Sequence, residues 1–294
     1  MTRALVLGGG GPVGIAWEAG LLAGLAESGV DLAAADFIVG TSAGSFVGSQ
    51  VAGGRAAKAI AEAILAEANR PRPAPSGGGE RPAAPNLALL FQKMQEAASG
   101  EREPAAVRRE IGAFALEAKT IDEATFIASF GRSLSEGGSG WPPSFACTAV
   151  DAETGEFVVW KADSGVGLAQ GVASSCSVPG VYPPITINGR RYIDGGMRSG
   201  TNADMAKGHE TVVLVALRTG GLDPVAAERQ KKALDAEIKV LTDAGAKVEL
   251  ITPDADSQAA FGVNLMDPRA RPAAAKAGLA QGRAMAAALK GAWG

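Results

Sequence analysis

Histidine is almost missing from this chain of 294 residues: His209 is the only one. A metal centre built from several imidazoles is therefore excluded, and any proton transfer that would ordinarily fall to histidine has a single candidate or must use another group. Cysteine is nearly as scarce. Cys147 and Cys176 are too few for a disulfide framework and fit a reducing cytosol. No apolar run reaches the roughly 18 residues that a membrane-spanning helix needs. The opening M-T-R-A-L-V-L-G-G-G-G is too short and too broken by glycine to read as a secretory signal. The chain has no excess of basic residues either. With a net charge of −3, nucleic acid is not the expected partner.

What the chain does have is apolar bulk, 47% hydrophobic residues against 20% charged, enough to exclude wholesale disorder. The length suits one large α/β domain or two small ones. Its 40 glycines are nearly double the usual share of about 7% and show no collagen-like period.

Ala4–Leu7 is a short apolar run ending in glycines, the pattern of a buried strand. Gly14–Ser28 follows with Ile15, Leu21, Leu22 and Leu25 at helical spacing and Gly29 as a stop. Phe37–Val39 and Gly44–Val51 repeat the strand-then-helix order, which predicts a parallel sheet covered by helices. Residues 71–85 form a Pro/Gly-rich loop. Asn86–Ala98 predicts a helix with Leu87, Leu90, Phe91 and Met94 on one stripe, and Val107–Leu116 predicts another. Ser144–Val150 and Glu156–Trp160 flank a D-A-E-T-G turn and predict a hairpin. Thr211–Leu217 is β-branched and reads as a central strand. Ala226–Thr242 predicts a helix, Lys247–Ile251 a last strand and Pro272–Leu289 a final helix. The expected organisation is one domain over 1–294, with 71–135 as a cap-like insertion of loop and helix.

Two glycine-rich turns carry chemistry. In the first, Gly9, Gly11 and Gly14 match G-x-G-x-x-G, a dinucleotide fingerprint, but the next strand ends F-I-V-G without the acid that would bind a ribose. Successive glycines beside a helix N-terminus can instead aim N–H groups at one point and hold an oxyanion. The second turn is G-T-S-A-G, Gly40–Gly44, between strand and helix. It has the form of a nucleophile elbow, with Gly40, Ala43 and Gly44 leaving room around Ser42.

A serine nucleophile needs a proton acceptor. His209 precedes the Thr211–Leu217 strand and so lies at the wrong end of a parallel sheet, whose active sites gather at the carboxyl ends. Asp194, in R-Y-I-D-G-G-M, follows a strand-like segment. Taken alone, Asp-Gly reads as an ordinary turn.

Together these pieces resemble the patatin-like phospholipase family. Its glycine-rich oxyanion loop is matched by Gly9–Gly14, its G-x-S-x-G elbow by Gly40–Gly44, and its D-G-G motif by Asp194-Gly195-Gly196. Two further blocks, Thr148–Glu156 and Ala173–Pro184, and the segment N-A-D-M-A-K-G-H-E-T-V-V-L-V also resemble family segments, in the same order. The resemblance covers almost the whole chain except roughly 70–140. It implies a three-layer α/β/α fold with a mostly parallel central sheet. It also implies a Ser-Asp dyad of Ser42 and Asp194 that cleaves fatty acyl esters of lipids through an acyl-enzyme, with no metal and no cofactor.

The same resemblance places the oxyanion donors at Gly9, Gly10 and Gly11. Gly14, Gly40, Ala43, Gly44, Gly195 and Gly196 then support the loops. Val13 stands where the family usually has Arg or Lys, which bears on head-group preference and leaves backbone oxyanion donation intact. The expected setting is cytoplasmic, acting on dispersed acyl esters or peripherally at a membrane, with Leu87, Leu90, Phe91 and Met94 as candidate lid or acyl contacts. Other readings are an esterase or thioesterase on smaller acyl groups, and a non-catalytic member that binds lipid or protein.

Overall fold

The computed structural model describes residues 1–69, 90, 92, 93, 96, 102–134, 140–217 and 224–293. The chain begins with β1 (Arg3–Leu7), α1 (Gly11–Glu27), β2 (Phe37–Gly40), α2 (Ala43–Ala52) and α3 (Ala57–Leu65). It continues through α4 (Pro104–Glu117), α5 (Glu123–Leu134), β3 (Phe145–Asp151), β4 (Phe157–Trp160) and α6 (Leu168–Ser175). β5 (Ile185–Ile187), β6 (Arg190–Asp194), β7 (Thr211–Val215), α7 (Pro224–Asp243), β8 (Lys247–Ile251), α8 (Ala255–Phe261) and α9 (Arg271–Trp293) complete it. The expected parallel sheet is present. β3, β2, β1, β7 and β8 run parallel in that order, and β4, β5 and β6 add an antiparallel flank.

The period-2 pleat sorts the strand side chains into two cores. Leu5, Leu7, Ile38, Phe145 and Val213 face the side covered by α1, α2, α3, α5, α6 and α9. Ala4, Val6, Val39, Val212 and Leu214 face the side covered by α7, and α4 packs Val107 and Ile111 on Val150 and Ile193 of that same side. The result is three layers, α/β/α. Two helices of the segment 71–135, α4 and α5, thus pack on opposite faces of the sheet. α1 and α9 cross almost backbone to backbone: a Cβ on Gly20 would lie 2.1 Å from the carbonyl oxygen of Ala275, and one on Gly278 would lie 2.3 Å from that of Trp17. Trp17, fully buried between them, donates to Ser257 and Gln281.

β3 decides where the ends of the other strands meet. One of its edges pairs with β4 along Cys147–Val150. The opposite edge is shared, with β2 taking residues 145–147 in parallel and β6 taking 149–151 antiparallel. Gly40, the last residue of β2, sits opposite Cys147, and Asp194, the last of β6, opposite Ala149. The two strands therefore end head to head on one edge, two residues apart on β3. Among the described residues, no helix is long and apolar enough to cross a membrane.

Candidate active site

At that junction the chain turns from β2 into α2 through Ser42, whose backbone is held at φ 52° and ψ −116°. This is a costly conformation for a residue with a Cβ, and it persists only where the surroundings enforce it. Two neighbours without side chains make the turn feasible. A Cβ on Gly40 would lie 2.4 Å from the Gly44 carbonyl oxygen, and one on Gly44 would lie 2.1 Å from that of Leu7. α6 clamps the strained residue from the other side. Ser175 Oγ accepts the Ser42 N–H at 3.0 Å, while Ser45 Oγ at 2.6 Å and Cys176 Sγ at 3.1 Å donate to the Ser42 carbonyl. Burial pushes the Cys176 thiol up, so it stays a neutral donor.

Asp194 is buried, with the Ser42 hydroxyl close enough to favour its ionised form. Its Oδ1 also accepts the Gly196 N–H at 2.7 Å. Desolvation raises its pKa from 3.8 to about 7, against the lowering effect of those two donors. A Cβ on Gly195 would lie 2.2 Å from Thr148 Oγ1, so glycine lets this turn press onto β3. The structure thus brings together Ser42 and Asp194, which lie 152 positions apart in the sequence.

The glycine-rich loop differs from expectation at one donor. The Gly9 N–H is spent on the Gly200 carbonyl at 2.8 Å, so it is not open to an oxyanion. Among the described residues the N–H groups of Gly10 and Gly11 have no acceptor. Neither does that of Ala43, the first residue of α2, which the sequence reading placed only as elbow support. Gly14 donates back to Gly10 and lies against Ala43. Val13 is fully buried and its N–H binds the Leu265 carbonyl, so position 13 offers no side chain to the site.

A pocket of about 250 Å³ opens over Ser42 and Ala43. Gly11 and Ile15 form part of one wall, and Phe126 and Phe130 of α5 stand with Tyr182 as an aromatic wall. Phe126 and Tyr182 stack at 4.5 Å, and Phe126 meets Phe130 edge to face at 5.0 Å. The sequence reading missed α5, although Phe126, Phe130 and Leu134 recur at helical spacing. Leu90, a candidate acyl contact, is buried with Val107, Ile111 and Val150 on the opposite face of the sheet, away from this pocket. Leu87, Phe91 and Met94 lie outside the described residues. His209 sits at the N-terminal end of β7, stacked on Phe37 at 5.3 Å, with Nδ1 3.0 Å from the Ala206 carbonyl. Among the described residues, no group of histidine, cysteine or carboxylate side chains could hold a metal ion.

A family model described as patatin-like phospholipase matches residues 5–207. No curated protein sequence matches the chain. Similar solved structures include VipD from Legionella pneumophila, 16% identical with a TM-score of 0.47, over 98% of this chain and 67% of that one. The type III effector protein ExoU is 16% identical with a TM-score of 0.43, over 98% of this chain and 53% of that one. A complex of full-length SpcU with full-length ExoU from the type III secretion system of Pseudomonas aeruginosa matches at 16% identity and a TM-score of 0.37, over 96% and 52%. The chain thus spans about half the length of ExoU.

Proposed function

This chain belongs to the patatin-like phospholipase family, and from that premise we propose that it is a serine lipid acyl hydrolase in which Ser42 is the nucleophile and Asp194 the general base. The observation that carries this reading is the convergence of Ser42, in its strained turn, and the buried Asp194 at one edge of β3, where burial raises the carboxylate pKa to about 7. A carboxylate at its ordinary pKa is a poor base for an alcohol. Burial makes this one stronger and poises it near neutral pH.

As Asp194 takes the Ser42 proton, Oγ attacks the ester carbonyl and the carbonyl oxygen becomes an oxyanion. The N–H groups of Gly10, Gly11 and Ala43, the last at the positive end of α2, have no other acceptor among the described residues and receive that charge. Collapse of the tetrahedral intermediate expels the alcohol, which takes the proton from Asp194, and leaves an acyl-Ser42 ester. Water then enters, gives its proton to Asp194 and attacks the acyl carbon. The second collapse returns a proton to Ser42 and releases the carboxylic acid.

One observation favours smaller acyl groups within this reading. The pocket of about 250 Å³ lies below the roughly 300 Å³ at which small-molecule sites begin. A short or single acyl chain fits it better than a bulky diacyl lipid. The test is labelling by a fluorophosphonate probe together with hydrolysis of a soluble p-nitrophenyl ester series. Both should be present in the wild type and absent in Ser42→Ala, and hydrolysis should also be absent in Asp194→Asn. Labelling that survives Ser42→Ala would place the nucleophile elsewhere, and a folded wild type inert to both reagents would favour a non-catalytic binding role.

A further inference from the structure

We propose that Asn202 is a positioning residue for the Ser42–Asp194 pair, an inference that rests on the hydrolase reading above. Asn202 is fully buried and touches neither the pocket nor the pair itself. Its amide instead joins the residues next to them. Nδ2 donates to Thr41 Oγ1 at 3.0 Å, immediately before the nucleophile, and to the Gly195 carbonyl at 3.2 Å, immediately after the base. It also reaches Thr148 Oγ1 of β3 at 3.3 Å and the Ser199 carbonyl at 2.9 Å. Thr41 Oγ1 and Thr148 Oγ1 are themselves 2.9 Å apart, which closes the network around β3.

The chemistry of the partners fixes which way the amide points. Oδ1 faces Arg198 Nη1 at 2.9 Å, and a guanidinium can only donate. Arg198 is in turn held by both oxygens of Asp204, at 2.9 and 2.6 Å. Nδ2 therefore faces two carbonyls and two hydroxyls, and an oxygen in its place would oppose the lone pairs of Gly195 and Ser199. The backbone of the same turn braces the third catalytic loop. The Gly200 carbonyl accepts the Gly9 N–H at 2.8 Å, and the Thr201 carbonyl accepts Thr41 Oγ1 at 3.3 Å. From outside, Glu237 of α7 accepts the Ala203 N–H at 3.0 Å and the Thr201 hydroxyl. The turn around Asn202 is thus the point at which the oxyanion loop, the elbow and the aspartate turn are tied to one another.

Asn202 itself has φ 49° and ψ 39°, a left-handed conformation that asparagine tolerates and glycine adopts freely. Glycine at this position therefore separates the backbone from the amide. If only the left-handed turn matters, Asn202→Gly keeps its activity. If the amide sets the Ser42–Asp194 geometry, kcat falls while KM for a small ester is spared, because the pocket walls are untouched.

The experiment measures kcat, KM and the pH-rate profile on p-nitrophenyl butyrate, with thermal melting, for wild type, Asn202→Gly and the isosteric Asn202→Asp. A misplacement of about 1 Å costs roughly 10²-fold, so kcat in Asn202→Gly should fall by ten- to a hundredfold, with KM changed by no more than about twofold. In Asn202→Asp the pH-rate midpoint should also move upward, since a negative charge next to the Gly195 carbonyl, one residue from Asp194, disfavours ionisation of Asp194 even with Arg198 facing it. The inference is overturned if kcat per folded molecule of Asn202→Gly stays within about twofold of wild type. It is equally overturned if Asn202→Asp loses only melting temperature, with kcat and the pH midpoint unmoved. A wild type inert to both the ester and a fluorophosphonate would overturn the hydrolase reading and this inference with it, an outcome separate from an active wild type with an insensitive Asn202.

Discussion

The backbone N–H of Ser42 donates to the side-chain hydroxyl of Ser175 at 3.0 Å, tying the strained elbow residue to the last residue of α6. The two residues lie 133 apart in the sequence, and both are buried. Removing the acceptor leaves a buried N–H without a partner, a loss of about 1–3 kcal/mol. Ser175→Ala should therefore melt several degrees lower than wild type. It should also turn over ester more slowly, because one of the contacts enforcing φ 52° at Ser42 is gone. Thermal denaturation and kcat on a soluble ester measure the two effects. An unchanged melting temperature would mean that the Ser42 N–H does not depend on Ser175.

Asp194 makes activity and stability move in opposite directions with pH. On the proposed reading it acts as the general base and must be ionised, so kcat/KM should rise with pH, pass its midpoint at about 7 and then level off. For stability, a carboxyl whose pKa is higher in the folded chain than its ordinary 3.8 binds its proton more tightly when folded. The resulting stabilisation is complete below about 4 and is lost progressively as pH rises to about 7. Asp194→Asn carries no such charge. Its stability should match wild type more closely at pH 5 and exceed it at pH 8, by an amount on the order of a few kcal/mol, while ester turnover is abolished. A variant that is less stable than wild type at pH 8 would show that the folded chain does not disfavour the ionised carboxylate.

The local parts of this site were legible in the sequence because their causes are local. A strand running into glycines and then a helix announces both glycine-rich turns. The need for Gly44 follows from how closely the elbow must approach Leu7. Asp194 was different. Nothing within ten residues distinguishes it from a turn aspartate, and resemblance alone paired it with Ser42. The physical reason for the pairing is the shared edge of β3, a long-range register that no local pattern encodes. Asn202 escaped notice for the same reason, its partners being scattered from Thr41 to Gly195. α6, L-A-Q-G-V-A-S-S, is short and made of small residues, so it shows no apolar stripe. At Gly9, sequence shows that an N–H is present but not that the Gly200 carbonyl already accepts it.

His209 is expected to be dispensable for chemistry. It sits at the N-terminal end of β7, beside Thr211, which pairs with Arg3 at the start of β1. Ser42 lies beyond Gly40, which pairs with Leu7 at the far end of β1. The imidazole is occupied in stacking on Phe37 and contacting Ala206. His209→Ala should keep kcat within about twofold of wild type and lose about 0.5–1.5 kcal/mol of stability from the ring pair. A steady-state assay beside a urea titration measures both, and a collapse of kcat without unfolding would return the base to histidine.

Glu18 points to a stabilising change that leaves catalysis alone. It lies on α1 one turn beyond the pocket residue Ile15, is fully buried, and neither carboxyl oxygen has a hydrogen-bond partner among the described residues. Desolvation holds its pKa well above the ordinary 4.5, so the folded chain keeps a proton there that the unfolded chain releases near neutral pH. That proton uptake erodes stability as pH climbs from about 4.5, and even the neutral acid gives up its hydrogen bonds to water on burial. Methionine has a similar length and no such polar demand. Glu18→Met should raise stability by about 1–3 kcal/mol at pH 8, with a smaller gain at pH 5, and leave kcat and KM on a soluble ester unchanged. Melting curves at the two pH values decide it. A variant that gains nothing at either pH, or whose gain shrinks as pH rises, would mean that the Glu18 carboxyl is not the burden its burial implies.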